Sequence, residues 1–515
     1  MQSLSLVLAL LLVADNELPS DFSLPAPPGP FVGSSNSGNT EGVRFKSGDP
    51  LIATTYFYWY DAESKAHLVD ADGSDALTDH PVTVEGLSYR NPEWHAEQLE
   101  DMIAAGIDVA MPVYWGSPGS GHRWSDVGLP KLVAARKQLL ARGKKPPAIG
   151  MFYDTSTLRH NGGGYHVDLR TVVGRRWFYG TIRNFFSLIP PQHRALIDGK
   201  PLVFLYGPDF AKGVDEELFP SVRKMFRDQF ATDLFLVKML PWPGRADSQY
   251  MWGGAIRPQF WETAGIGPGY DHSAVPGRQP LVRDRENGQF YSRAWETLLS
   301  QAPAGRSWLV HLETWNEFHE GTEVCETKEY GRMYLELTRR FADSFHTREQ
   351  IRSRQGMSLP SVISVAPHKP QGIAIFPLES GDGRVSEKVV GGGKAWSTAA
   401  SLQSPQNRYL YFAVDDKFLI NKDEPIEVTV RYFDSGPEAF WFEYDSGDPR
   451  LSGLRQAFRS GHRQSLGESG MWKEVTFTIQ YPRFAGRSNG ADFRLGCSNA
   501  DLVISNVALR RSRRR

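Results

Sequence analysis

Cysteine is nearly absent from this 515-residue chain. There are two, Cys325 and Cys497, in regions with different sequence patterns. That argues against a disulfide framework and leaves the redox compartment open. Net charge is also missing: 59 acidic residues face 58 basic ones, so no polyanionic partner and no nucleic acid is expected. The one basic run, Arg510 and Arg511 followed by Arg513, Arg514 and Arg515, reads as a solvated tail, with no folded nucleic-acid reader beside it. No apolar run reaches bilayer length, so no integral membrane segment is expected. The longest, Leu4 to Ala14, has the length of a signal-peptide core. Residues 1–20 are therefore expected to be an export signal and the protein to be secreted or periplasmic. The run lacks a basic stretch ahead of it, and a mis-assigned start is the alternative. Residues 21–48, rich in Pro, Gly, Ser and Asn, read as a linker.

Aromatic residues are plentiful, at 12% of the chain with 14 Trp, and many stand beside polar residues rather than inside apolar runs. Sugar-binding clefts need that mixture, because C–H faces pack on rings while hydroxyls need polar partners. Part of the set must instead be ordinary core. From residue 49 to about 350, short apolar runs alternate with helical stripes. Strands are predicted at Leu51 to Tyr60, Ile107 to Trp115, Ala148 to Asp154, Pro201 to Tyr206, Leu234 to Met239, Tyr250 to Ile256, Ala264 to Asp271 and from Trp308 onward. Eight strands in strand–helix order predict a (β/α)8 TIM barrel over residues 49–350. The polar excursion through His67, Asp70, Asp72, Asp75, Asp79 and His80 does not have calcium-loop spacing and reads as a solvated loop over the cleft. After a lapse near 351–375, alternating runs separated by turn residues predict an all-β jelly-roll sandwich over residues 372–510. Such a domain is either a carbohydrate-binding module or a structural accessory.

The chemistry concentrates in the stretch Thr314-Trp-Asn-Glu-Phe-His-Glu-Gly-Thr322, expected to end the last strand and open a helix. Glu317 and Glu320 are two carboxylates three residues apart, the minimum set for acid/base cleavage of a glycosidic bond. Neighbouring like charges split their pKa values, giving one acid and one base. The bland reading makes Glu320 a dipole-favoured helix start and Glu317 a hydrogen-bonded strand-end carboxylate. His319 reads as an orienting residue. A zinc site on His311 and Glu313 is disfavoured, and no metal or cofactor is expected. Tyr58, Trp59, Tyr60, Tyr114, Trp115, Tyr153, Asp154, Tyr270, Asp271, Trp315 and Asn316 sit at predicted strand ends and are expected to line the cleft with them, because parallel strands end together.

The stretch resembles the Asn-Glu-Trp-His-Glu-Gly-Thr signature of glycoside hydrolase family 99. That family and its relatives are barrel enzymes acting as endo-α-mannosidases and endo-α-mannanases. Tyr56 to Tyr60, Ala105 to Ile107 and Gly267 to Asp271 are similar to the wider group. Arg483-Phe484 with Asn489 to Arg494 resembles β-sandwich modules found beside such barrels. Phe318 stands where the family has Trp, and the first strand lacks the mannosidases' His-rich motif. The resemblance implies that Glu320 is the general acid/base and that Glu317 deprotonates the sugar 2-hydroxyl, with retention. The chain is thus expected to be a monomeric, metal-independent retaining glycoside hydrolase acting on a polysaccharide or glycan. The alternatives are a non-catalytic carbohydrate-binding protein on a degenerate barrel and a cell-surface adhesion protein.

Overall fold

The computed structural model describes residues 18–19, 29–32, 42–115, 124–276, 281–351, 362–376, 382–401, 404–415, 418, 424–448, 450–451, 454–484 and 486–511. The predicted export-signal core, most of the predicted linker and the last four residues of the basic tail lie outside the described residues. No helix among the described residues is long and apolar enough to cross a membrane.

The chain is mixed α/β, and its main strands and helices alternate through the first two thirds except at residues 235–266, where strands follow one another with no helix between. In order they are β1 (Leu51–Tyr56), α1 (Pro92–Ala105), β2 (Val109–Tyr114), α2 (Trp124–Ala141), β3 (Met151–Tyr153), α3 (Val172–Leu188), β4 (Lys200–Leu205), α4 (Leu218–Phe230), β5 (Phe235–Met239), β6 (Ser248–Tyr250), β7 (Thr263–Ile266), α5 (Gln289–Ser300), β8 (Leu309–Leu312) and α6 (Met333–His346). Near-continuous apolar strands of this kind are what a parallel sheet covered on both faces requires.

Two compact units divide the chain: residues 1–46, 88–96 and 111–247, and residues 47–87, 97–110 and 248–515. In the first unit, β3 pairs in parallel with β2 and β4, and β4 with β5. Helix α3 is capped by the Thr171 hydroxyl, which accepts from Gly174 N–H, and packs Phe186 edge-on against Phe226 of α4. Its apolar side follows from Phe178, Ile182, Phe185 and Phe186 at helical spacing.

In the second unit, β8 lies between β1 and β7, parallel to both, with Leu309 opposite Leu51 and Thr263. The sixth and seventh strands differ from the expectation. β6 ends at Tyr250, where the sequence reading began it, and Trp252 to Ile256 form a turn. Gly253 there has φ +107°, and a Cβ on Gly254 would stand 2.5 Å from the Gly265 carbonyl carbon, so the glycines make a tight turn and not a strand. β7 stops at Ile266, and Tyr270–Asp271 instead pairs antiparallel with Val282–Arg283.

The C-terminal region is β-rich. Two antiparallel sheets, of seven and five strands, cover residues 362–511. They share one apolar core, with Val428, Val430 and Leu509 from one sheet and Leu410, Phe442, Phe493 and Leu495 from the other. The compositional lapse at 351–375 does not separate the two compact units, because these sheets belong to the unit that holds β1, β7 and β8. The reason is polar. Arg257 pairs with the fully buried Asp492 and donates to the Gly490 carbonyl at 2.9 Å, while Arg483 donates to the Phe260 carbonyl. The Arg487 guanidinium lies 4.0 Å from the centroid of the Trp261 ring.

Candidate functional site

The loop after β8 folds back on itself. Thr314 N–H donates to the Thr322 carbonyl at 2.8 Å, Thr322 N–H to the Glu317 carbonyl at 3.3 Å, and Val324 N–H to the Thr314 carbonyl at 3.2 Å. The expected helix start is therefore absent; α6 begins only at Met333. A dipole-favoured helix position cannot explain Glu320, which lies in this loop. Gly321 takes φ +53°, with a would-be Cβ 3.2 Å from the Asp79 carboxylate, so the reversal depends on glycine.

The loop hangs from the end of β1. Trp315 N–H donates to the Thr55 carbonyl at 2.9 Å. The Asn316 side chain holds both backbone groups of Phe57, accepting from N–H at 2.8 Å and donating to the carbonyl at 2.7 Å. The Tyr60 hydroxyl donates to the Asn316 carbonyl at 3.1 Å and accepts from Phe318 N–H at 3.2 Å. Asn316, expected to touch substrate, is thus committed to satisfying strand-end backbone.

On this frame Glu317 is buried. Its Oε1 accepts from His319 Nδ1 at 2.7 Å and from His319 N–H at 3.1 Å. Burial, with Glu320 adding to it, raises the Glu317 pKa against the opposing pull of His319. Burial works against a charged His319, but Glu317, Glu320 and a hydrogen bond to the His67 backbone outweigh it, and the ring's pKa is raised. Around His319 the Tyr60 ring stacks at 5.7 Å, and Trp59 lies edge-on at the same distance. The His67 ring lies flat on Trp59, centroids 4.5 Å apart and 5° from parallel. Burial and the neighbouring His319 lower the His67 pKa to about 4.

The loop is held from its far side by a buried charge cluster. Arg285 donates to Asp79 at 3.0 Å, to Glu323 at 2.5 Å, and to the Gly321 and Glu323 carbonyls at 2.9 and 3.0 Å. Its guanidinium also lies over the Tyr330 and Tyr334 rings, at 4.3 and 4.7 Å. Burial raises the pKa values of both Asp79 and Glu323, and Arg285 opposes the rise in each. Thr78 adds a backbone bond to the Phe318 carbonyl at 2.9 Å and a hydroxyl bond to the His319 carbonyl at 2.8 Å. The excursion read as a solvated loop is therefore, at Thr78 and Asp79, part of the site's foundation.

Of the expected site residues, the second unit brings together Trp59, Tyr60, Asn316, Glu317 and His319. Asp271 joins Glu320 through its backbone, N–H to carbonyl at 2.9 Å. Tyr270 turns to His272, its hydroxyl 2.9 Å from Nδ1. Tyr58 is fully buried and stacks on Tyr56. Trp315 is fully buried too, donating from Nε1 to Gln98 at 2.8 Å; neither ring offers a face to a sugar. In the first unit, Tyr114 meets Phe185 edge-on and donates to Asp126 at 2.6 Å, and Tyr153 packs 4.8 Å from Phe178. Both rings fill the layer against α3. Trp115 donates to the Ser156 hydroxyl at 2.5 Å, and Asp154 accepts from Ser156 N–H at 3.0 Å to cap the turn at Thr155–Leu158. Sequence reasoning missed His67, Asp79, Arg285 and Glu323 as site residues. No periodicity marks Arg285; Glu323, one residue beyond the signature, was the available signal. Among the described residues no group of three or more His, Cys, Asp or Glu is placed to hold a metal ion. His311 Nε2 is engaged by the Thr55 hydroxyl at 2.5 Å, and Glu313 accepts from Gly253 N–H at 2.8 Å.

The loop after the last parallel strand of this α/β chain thus carries a buried carboxylate–imidazole pair and a second carboxylate. The chain itself belongs to the family described as Domain of unknown function (DUF5010), whose model matches residues 32–354. It is 37% identical over 95 residues to the glycoprotein endo-alpha-1,2-mannosidase-like protein of Mus musculus, covering 16% of this chain and 20% of the relative. The human protein of the same description matches at the same identity, length and coverage. The chain thus spans about a fifth of the length of the curated relatives it matches. A solved glycoside hydrolase family 99 endo-alpha-mannosidase from Bacteroides thetaiotaomicron aligns at 18% identity and a TM-score of 0.43, covering 58% of this chain and 98% of the other. The resemblance to endo-α-mannosidase-like proteins is therefore met in sequence.

Proposed function

We propose that the protein is an exported retaining glycoside hydrolase acting on a polysaccharide or glycan through Glu317 and Glu320, on a (β/α)8 barrel followed by a jelly-roll module. The observation that carries the reading is the placement of Glu317, buried, and Glu320, half-buried, three residues apart on the loop after β8. Burial raises the pKa of Glu317, and His319 opposes that rise. Glycosidic cleavage needs one carboxyl as acid and one as base, and this loop carries both. Glu320, half-buried, protonates the departing glycosidic oxygen. Glu317 accepts a proton from the attacking hydroxyl, and water completes the hydrolysis. Trp59 and His67 supply a partly exposed flat surface beside the pair, suited to the C–H face of a sugar.

The test is digestion of a labelled glycan panel, mannose-containing chains included, with product mass analysis. Glu317→Gln and Glu320→Gln should each lower turnover by roughly 10²–10⁴-fold. Binding without cleavage across the panel would leave a carbohydrate-binding protein in place of an enzyme.

A further inference from the structure

Resting on that reading, we infer that His319 is a positioning residue: as an imidazolium clamped between Glu317 and the His67 backbone, it keeps Glu317 ionised for the base role and leaves the acid role to Glu320. The geometry is specific. His319 Nδ1 faces only acceptors, Glu317 Oε1 at 2.7 Å and the Tyr60 hydroxyl oxygen at 3.5 Å. The Tyr60 proton is directed elsewhere, to the Asn316 carbonyl, so Nδ1 carries the hydrogen of this contact whenever Glu317 is ionised. The backbone hydrogen bond from His67 favours the protonated ring as well. A second bond, from His319 N–H to the same Oε1, restrains the carboxylate's rotation.

The titratable groups facing His319 are Glu317 and Glu320 on its own loop, Tyr60 from the end of β1, and His67 from the excursion loop. Three are anionic when charged. Tyr60 is held protonated by burial, and by the charge of Glu317 beside it. Of these four groups His67 is the one cationic competitor, and its depressed pKa of about 4 keeps it neutral above that pH. The Trp59 face under His67 shields that ring from solvent. The pairing of a low-pKa and a high-pKa imidazole 6.1 Å apart therefore assigns the single positive charge to the ring that touches Glu317.

Two measurements separate this from the function itself. The first uses the full chain with carbon-13-labelled histidine, the His319 resonance being identified by its loss in His319→Gln. His319 should titrate above 6.5 and fall below that value in Glu317→Gln, while His67 should stay neutral down to about pH 4. An unchanged His319 titration in Glu317→Gln overturns the inference whether or not any glycan is cleaved. The second uses whichever glycan the panel identifies. Removing the cation raises the Glu317 pKa, so in His319→Gln the acidic limb of kcat/KM should move to higher pH by about 1–3 units. Glutamine keeps a donor, so a merely structural role would alter KM or stability and leave the limb in place; that result would also overturn the inference. If no glycan is cleaved, the hydrolase reading fails and the imidazole titration alone decides the pair.

Discussion

Asp79 and Arg285 are 206 residues apart in the chain and form a 3.0 Å ion pair in the interior, both almost wholly shielded from water. Around them the loop bearing Glu317 and Glu320 takes its shape. Arg285 reaches the Gly321 carbonyl and Glu323 with the same guanidinium that holds Asp79. A single cation thus ties the excursion before α1, the segment before α5 and the loop after β8.

Arg285→Met should therefore be strongly destabilising. It leaves Asp79 and Glu323 together with no cation and two loop carbonyls without a donor. Removing one partner of a buried pair costs about 3–5 kcal/mol, most of it the uncompensated charge left behind. The triple change Asp79→Asn, Arg285→Met, Glu323→Gln should recover much of that loss. Denaturant unfolding of the two variants beside the parent chain tests it; equal stability of the single variant and the parent would mean that the cluster bears little of the loop's order.

The segment just before β7 and the C-terminal sheets give a second expectation. The sequence pattern suggests two independent cores, yet Arg257, Phe260 and Trp261 are covered by Arg483, Arg487, Gly490 and Asp492. Burial raises the pKa of Asp492, and Arg257 opposes that rise. Arg257→Met should cost about 1.5–3 kcal/mol for each charged hydrogen bond lost. A chain ending at residue 350 should be poorly soluble, having bared Trp261 and the surrounding strand. Cooperative unfolding of a soluble 1–350 fragment at the parent's midpoint would refute this and restore the two-core reading.

Much of the architecture was legible because apolar runs and helical stripes record burial directly. β8 and the carboxylates after it stand out as an abrupt change from apolar to polar. Ring placement was not legible to the same degree. Tyr114, Tyr153 and Trp315 lie at strand ends as expected, but which side a ring faces turns on one residue of register, and nothing local fixes it. Asn316 was read as a sugar contact because its type fits one; a strand-end backbone without a partner claims the same amide, and that need is visible only in three dimensions. The helix expected after Glu320 failed for a related reason. Thr314, Gly321 and Thr322 close a loop by hydrogen bonds, and a helical stripe from Tyr330 onward does not say where the helix begins. Arg285 and Asp79 depend on a contact across 206 residues, which no window of sequence contains.

His80 offers a prediction on pH. Its ring bridges Asp75 at 2.9 Å and Glu329 at 2.7 Å, its N–H donates to Glu329 at 2.8 Å, and its carbonyl accepts from Lys328 N–H at 2.9 Å. This joins the excursion loop to the segment before α6. Partial burial works against the charged ring, but the two carboxylates outweigh it and raise the His80 pKa. Asp75 and Glu329 are lowered in turn: burial opposes this, and the bonds from His80 and from backbone N–H groups prevail. The signs then fix a window. The His80 contribution is complete below its unfolded pKa of about 6.5 and is lost as pH rises through the higher folded value. The carboxylate contributions are complete above about 4.3 and are lost as pH falls through their depressed folded values. The join is tightest between these limits and loosens in alkali. Hydrogen exchange at residues 75–80 and 326–331 should accelerate, relative to the rest of the chain and after correction for intrinsic rates, between pH 6 and pH 9. In His80→Gln that pH dependence should vanish and protection should be low throughout. An identical pH dependence in the variant would show that the join is held by the backbone bonds alone.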